Sequence, residues 1–414
     1  MHTRHSEKLQ GTAAGDEARS IIGSCVHCGF CLPTCPTYRL LGDELDSPRG
    51  RIYLIKQVLE GAEPTALTQQ HLDRCLTCRA CETACPSGVR YGRLIDIGRE
   101  LVVERSPRPA AARALRAVLR RGLTSRWFGA ALRLGQALRG LLPAQVARRV
   151  PARQGTGSWP KRTHARRMLL PVGCVQPALA PNIDAATARV CDAVGIEVGA
   201  LPGAGCCGAL PFHLDDPQGA RAAARRNIDA WWPQLDAGTE ALLVNASGCG
   251  LMYREYGRLL SDDPAYAGRA ARLSALALDL AEVLSAHVEQ LRSRLLPGTP
   301  QRVVFHPPCT HQHGLRIRGA VESLLASLGA EVLPFEGSHL CCGSAGAYSL
   351  LQPAIAGQLR DQKLAALTAP RPDVILSANI GCIMHLASGT AVPVRHWIEW
   401  LDDRLAPSTN GDIA

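Results

Sequence analysis

Sixteen of the chain's 17 cysteines fall into spaced sets, and the spacing says what chemistry each set can do. The first two sets are Cys25-Val-His-Cys28-Gly-Phe-Cys31-Leu-Pro-Thr-Cys35-Pro36 and Cys75-Leu-Thr-Cys78-Arg-Ala-Cys81-Glu-Thr-Ala-Cys85-Pro86. Each reads C-x2-C-x2-C-x3-C-P, the run whose thiolates ligate cubane 4Fe-4S clusters. Three thiolates two residues apart wrap one cluster within a single loop. The fourth, held by the following proline, leaves that loop and reaches the other cluster. The expected ligand sets are therefore Cys25, Cys28, Cys31 and Cys85 for one cluster, and Cys75, Cys78, Cys81 and Cys35 for the second. Structural zinc also uses C-x2-C pairs. It has no use, however, for a third cysteine and a Cys-Pro at fixed offset, repeated twice. Two neighbouring clusters mean electron transfer, with the protein setting potentials through insulation, hydrogen bonds and charge.

The next eight cysteines are duplicated. Cys174, Cys206-Cys207-Gly208 and Cys249 recur as Cys309, Cys341-Cys342-Gly343 and Cys382; the first three are displaced by 135 residues and the last by 133. Their surroundings repeat as well. Apolar runs 168–172 and 303–305 precede the first cysteine of each copy, and 241–244 and 374–376 precede the last. Adjacent cysteines rarely pair with each other, because the resulting ring is strained. Thiolates at helix starts are stabilised by local amides and the helix dipole. A metal–sulfur site and a redox thiol site are both open. The remaining cysteine, Cys191, sits in a helical pattern and reads as core packing.

The elements that must hold these residues differ between the two halves. Residues 52–59 between the ferredoxin runs place apolar side chains at helical spacing, and Thr68 can cap a further helix. Fifty residues separate Cys25 from Cys75, which favours the helical type of two-cluster domain. Arg49 and Arg51 could bring positive charge to the clusters or form surface salt bridges. In the second half, short apolar runs alternate with helical stretches at 184–194, 220–231, 321–328 and 354–367. Such alternation implies parallel sheets in two α/β lobes, with cysteines at the carboxyl ends of strands, where open sheets place ligands. The expected architecture is α plus α/β. It comprises a helical domain over 1–105, a linker over 106–166, lobes over 167–296 and 297–405, and a tail over 406–414.

Composition narrows the function. The net charge of +10 is concentrated between Arg99 and Arg167, where 17 basic residues face two acids. No nucleic-acid motif accompanies that charge, and arginine outnumbers lysine 42 to 4 across the chain. Leu115, Val118, Leu119, Leu123, Trp127, Leu134, Leu138 and Leu141 form a stripe with arginines elsewhere. This is the pattern of a helix packed on its own domain or of one lying in a membrane interface. There is no signal-peptide segment and no spanning run. Reduced thiols therefore place the protein in the cytoplasm, peripheral on the inner face of the membrane. Gly203-Ala-Gly205-Cys-Cys-Gly208 matches the dinucleotide pattern, but the second copy drops its glycines and Pro211 follows at once. No FAD or NAD is expected on this chain. His306, His311 and His313 surround Cys309 without counterparts near Cys174, which argues against a zinc site there. His213 and His339, near the Cys-Cys-Gly runs, could hydrogen-bond ligands or carry protons.

The duplicated set resembles the cysteine-rich CCG domain of heterodisulfide reductase-type subunits. The fuller motif of that family ends in C-x2-C; here Ala246 and Asn379 replace its first cysteine, so four thiols per lobe remain. Two ferredoxin runs followed by two CCG lobes resemble the family of glycolate oxidase iron–sulfur subunits, over about residues 20–400. The resemblance implies an electron relay between FAD-binding partner subunits and an acceptor such as quinone, inactive alone. Thiol–disulfide reduction, the equivalent subunit for lactate or glycerol-3-phosphate oxidation, and a docking subunit with structural metal in the lobes are the alternatives.

Overall fold

The computed structural model describes residues 11–141, 143, 151–201 and 205–406. Its N-terminal part is helical, built from Ala13–Gly23, Pro36–Leu41, Pro48–Leu59, Ala66–Asp73, Ala80–Thr83 and Tyr91–Arg105. Local chemistry fixes the starts. Ser47 accepts from the Gly50 amide with Pro48 at the first helical position. Thr68, expected as a cap, is instead the third residue of its helix and closes a capping box with the true cap, Thr65. Apolar faces carrying Ile21, Ile22, Ile55, Leu72, Leu94 and Ile95 meet in one core that also takes in Cys25, Cys75 and Cys81.

The linker departs from the sequence expectation twice. Its single stripe breaks at Thr124–Trp127 into two helices, Ala110–Leu123 and Phe128–Ala137. The first of these is inside out. Arg108, Arg116 and Arg120 turn inward onto Asp73, Asp215 and Asp216. Leu115, Val118, Trp127, Leu134 and Leu138 are left exposed. The helix is thus anchored by half-buried ion pairs of Arg116 and Arg120.

Each lobe holds a four-stranded, all-parallel sheet. The first comprises β1 (Arg166–Pro171), β2 (Ile196–Leu201), β3 (Ala241–Val244) and β4 (Ala277–Asp279), in the order β2-β1-β3-β4. The second comprises β5 (Arg302–His306), β6 (Glu331–Val332), β7 (Val374–Ser377) and β8 (Val394–His396), in the order β6-β5-β7-β8. Register repeats with topology: Met168 pairs with Ala241, and Val303 with Val374. Alternate strand residues serve two cores, as expected of parallel strands covered on both faces. Met168, Leu170 and Leu243 join Val303, Phe305 and Leu376 in one core shared between the lobes. Leu169, Leu242 and Val244 face outward onto Trp231 and Tyr253, while Val304 and Ile375 face Cys342 and Cys382.

The glycine of each Cys-Cys-Gly run is required by its position. Gly208 and Gly343 have φ of 98° and 90°, a region that L side chains avoid. A Cβ on Gly343 would lie 2.6 Å from the Ala356 carbonyl oxygen, and one on Gly208 3.1 Å from that of Ala220. Gly343→Ala is therefore expected to destabilise lobe 2 by about 2–4 kcal/mol. Gly208→Ala should cost clearly less. Thermal unfolding of the two variants followed by circular dichroism checks the order.

Candidate metal centres

The two ferredoxin loops fold alike although their sequences differ. Left-handed residues fall at His27 and Thr77, two past the first cysteine, and again at Gly29 and Arg79, one past the second. Three of these four are not glycine, and each carries a strain that persists where a site demands it. Alternating handedness turns successive amides toward one point, the concavity that suits an anionic sulfide cluster.

Cys25, Cys28, Cys31 and Cys85 line one cavity, which Cys81 also touches. Cys35 leaves its own loop and lies beside Cys78, while Cys81 has Cys78, Cys75 and Cys35 as its neighbours. Burial pushes the Cys81 thiol well above its ordinary pKa and Cys31 up to about 11. Such thiols become ligands only when a metal supplies the compensating charge. Among the described residues, the one group whose ligand atoms all lie within 4.8 Å of one another is Asp43, Asp46 and His71. The cysteine sets are wider than a single ion needs and fit a multi-iron cluster. The compact acidic group is already neutralised, because Asp46 binds Arg51 at 3.1 Å and Arg74 at 2.8 Å.

Arg51 is fully buried beside the second set. Its Nη1 lies 3.9 Å from Cys35 Sγ, and its Nε donates to the His71 carbonyl at 2.7 Å. Burial opposes its charge, but Tyr91, Cys75, Cys35 and Asp46 outweigh that and hold its pKa up. Thr37 Oγ1 lies 3.3 Å from Cys35 Sγ, and the Tyr91 hydroxyl donates to Cys75 Sγ at 3.7 Å. Arg49 takes the other path expected for this pair: it forms a surface salt bridge with Glu44 at 2.6 Å.

Each lobe gathers its four thiols at the carboxyl edge of its sheet. In lobe 1, Cys206 lies against Cys174 and Cys207, and Cys207 against Cys249. Hydrogen bonds from Cys174 and Cys207 lower the Cys206 pKa. In lobe 2 the chain of contacts runs Cys309, Cys341, Cys342, Cys382. Cys309 touches one thiol more: Cys78 of the second ferredoxin loop. Leu76, Tyr348, Ile355 and Leu359 seal this junction. Lobe 2 also buries Lys363, whose Nζ donates to the Gly337 carbonyl at 2.7 Å and feels all four of its thiols. Lobe 1 places neutral Asn227 in the same role, donating to the Cys206 carbonyl at 3.1 Å. The lobes meet where Asn379 accepts from the Gly248 amide at 3.4 Å and donates to Cys382 Sγ at 3.6 Å.

The histidines around Cys309 do not converge. His306 bonds Ser377 at 3.2 Å, His311 meets Asp279 at 3.3 Å, and His313 bonds Thr83 at 3.0 Å. All three are buried rather than solvated. His213 lines the cavity beside Cys75 and is exposed to it. His339 lends its carbonyl to His313 at 2.9 Å. Gly203 and Ala204 of the dinucleotide-like run lie outside the described residues. The run leads into a five-residue helix containing Pro211, too short for the motif. Cys191 is fully buried in the shared core.

Sequence reasoning named Arg51 as a charge near the clusters but not as a buried partner of Cys35, and it missed the Cys78–Cys309 contact, whose partners are 231 residues apart. Lys363 follows Arg360, Asp361 and Gln362 in its helix, so its burial carried no signal in the sequence.

A helical domain with two cluster loops, joined to a duplicated thiol-lined α/β module, defines an iron–sulfur electron carrier. Residues 21–89 match the 4Fe-4S dicluster domain family, and residues 169–254 and 303–387 match the cysteine-rich domain family. A glycolate oxidase iron-sulfur subunit of Escherichia coli is 51% identical over 98% of this chain and 99% of that relative. A probable glycolate oxidase iron-sulfur subunit of Bacillus subtilis is 32% identical over 88% of each. Lactate utilization protein A of Bacillus licheniformis is 26% identical over 56% of this chain. The chain belongs to the family of glycolate oxidase iron–sulfur subunits.

Proposed function

We propose that this chain is the electron-transfer subunit of a glycolate-oxidising complex. FAD-binding partner subunits oxidise glycolate to glyoxylate, and the electrons leave through this chain to an acceptor such as membrane quinone. The observation that carries the reading is the contact of Cys78 with Cys309, which joins the ferredoxin domain to lobe 2. Cys25, Cys28, Cys31 and Cys85 hold one cubane; Cys75, Cys78, Cys81 and Cys35 hold the other. Each cubane, when bound, supplies a store for one electron. The eight lobe cysteines, Cys174, Cys206, Cys207, Cys249, Cys309, Cys341, Cys342 and Cys382, are candidates for a further metal–sulfur centre. Cys309, Cys341, Cys342 and Cys382 are all buried, which denies a bulky disulfide substrate direct approach and disfavours thiol–disulfide reduction.

Anaerobic complex purified with its flavoprotein tests the reading. Glycolate should generate the EPR signal of reduced clusters, with about eight iron atoms per chain from the cubanes. Flavin reduction without any cluster signal refutes it. Cys35→Ser should remove chiefly the cluster held by Cys75, Cys78 and Cys81.

No helix among the described residues is long and apolar enough to cross a membrane. The reading adds peripheral attachment through the inverted linker helices, whose outward face presents Val118, Trp127 and Leu134 within a basic segment. The complex should sediment with anionic vesicles. Salt should weaken that binding in part, because screening reaches the exposed charge and not the apolar contact. A Val118→Glu, Trp127→Glu variant should lose about tenfold or more of the binding.

A further inference from the structure

The two ferredoxin sites differ in exposure and in the charge around them. At the first, Cys28 is exposed between Val26 and Phe30, which are 68% and 65% exposed. Among the described residues, Arg49 lies against that loop and is paired with Glu44. Backbone amides reach Cys31 there, whereas at the second site side chains reach the thiols as well. The Arg51 guanidinium reaches Cys35, and the Tyr91 hydroxyl and the Thr77 amide (3.4 Å) reach Cys75. Asp46 offsets only part of the positive charge there, because it is shared by two guanidinium groups, Arg51 and Arg74. Hydrogen bonds to ligand sulfur and nearby positive charge favour the more negative, reduced form and raise a cluster's potential. A buried cation does so most effectively, because solvent screens it least.

We propose that electrons enter at the Cys25–Cys31 loop, from an apolar flavoprotein surface that covers Val26 and Phe30. They run inward to a second site held at the higher potential by Arg51 and Tyr91. For each electron the first site loses, the second gains one, and no proton need move. The direction rests on the electron-transfer reading above but not on glycolate being the donor. It also explains the remaining asymmetry: the high-potential site is the one in contact with lobe 2, where Lys363 waits beside four more thiols. The flavoprotein end of the relay is thereby at the surface and the acceptor end inside.

A potentiometric EPR titration of the reconstituted full chain, without partners or glycolate, should resolve two one-electron midpoints. Arg51→Gln should lower the higher midpoint by at least a tenfold change in its reduction equilibrium, about 59 mV for one electron. The lower midpoint should not move, and Arg51→Lys should restore most of the loss. Tyr91→Phe, which removes one hydroxyl from a helix start, should shift the same signal in the same direction by less. It decides the matter if Arg51→Gln does not fold. A shift of the lower midpoint, or none in either variant, overturns the order of potentials. Val26→Glu with Phe30→Glu should leave both midpoints in place and weaken flavoprotein binding by about tenfold or more. Unchanged binding overturns the entry site. If another substrate replaces glycolate, these potentials and affinities stand, so the two proposals fail separately.

Discussion

Asp46→Ala is expected to cost about 3–5 kcal/mol and to strip iron chiefly from the second ferredoxin site. The carboxylate is fully buried and holds three side chains: Arg51 at 3.1 Å, His71 at 3.1 Å and Arg74 at 2.8 Å. Its own carbonyl accepts from Thr37 at 3.0 Å. Removing it leaves the Arg51 guanidinium buried without its counter-ion, and that unpaired charge, rather than the lost contact, sets the magnitude. Arg74 can turn outward to water; Arg51 cannot. Because Arg51 reaches both Cys35 and Thr37, the loop carrying that cysteine should loosen with it. Asp46→Asn keeps the shape and loses the charge, so it should cost nearly as much. Thermal unfolding and iron analysis of the two variants check this. A stable Asp46→Ala protein retaining both clusters would contradict the account.

How much of this is legible in the sequence depends on whether the information is local. The C-x2-C-x2-C-x3-C-P runs are local, and their spacing already specifies two loops around two clusters. The 135-residue repeat is legible because both copies place cysteines at the same strand ends, and the two sheets share one strand order. The linker misleads for a physical reason. Its arginines look like a solvated face, but Asp73 and Asp215 come from distant parts of the chain and pull Arg108 and Arg116 inward. A 3.6-residue period locates a stripe without saying which side faces the protein. Thr68 passes for a cap because a capping box places a hydroxyl residue at both of its ends. Arg51 cannot be placed by inspection, because the carboxylate that permits its burial is settled only when residues 44–46 fold back over the next helix.

The lobes extend that point from placement to chemistry. Their thiols occupy matching positions, yet Lys363 stands over one set and Asn227 over the other. Burial lowers the Lys363 pKa and the four thiols oppose that, so anionic thiolates in lobe 2 and a charged Lys363 would stabilise each other. Duplication therefore preserved the backbone that presents the cysteines while the charge around them diverged.

The largest functional effect is expected from breaking the relay at a cubane ligand. Hydride abstraction from a 2-hydroxy acid needs a two-electron acceptor, usually flavin or nicotinamide. Cubane clusters take one electron at a time. The one dinucleotide-like glycine run here leads into the five-residue, Pro211-containing helix Ala209–His213, which lacks the uninterrupted turn a pyrophosphate needs. The chain alone should therefore show no flavin absorbance and no glycolate-dependent dye reduction. With its FAD-binding partners restored, turnover to the terminal acceptor should appear. Cys78→Ser should then abolish that turnover, because Cys78, a ligand of the second cluster in the assignment proposed above, also touches Cys309 of lobe 2. Flavin reduction by glycolate should be unaffected, since it takes place on another polypeptide. Stopped-flow absorbance separates the two steps: the flavin signal should bleach at the parent rate while the acceptor signal stays flat. Turnover by the isolated chain, or acceptor reduction that survives loss of the second cluster, would remove this chain from the electron path.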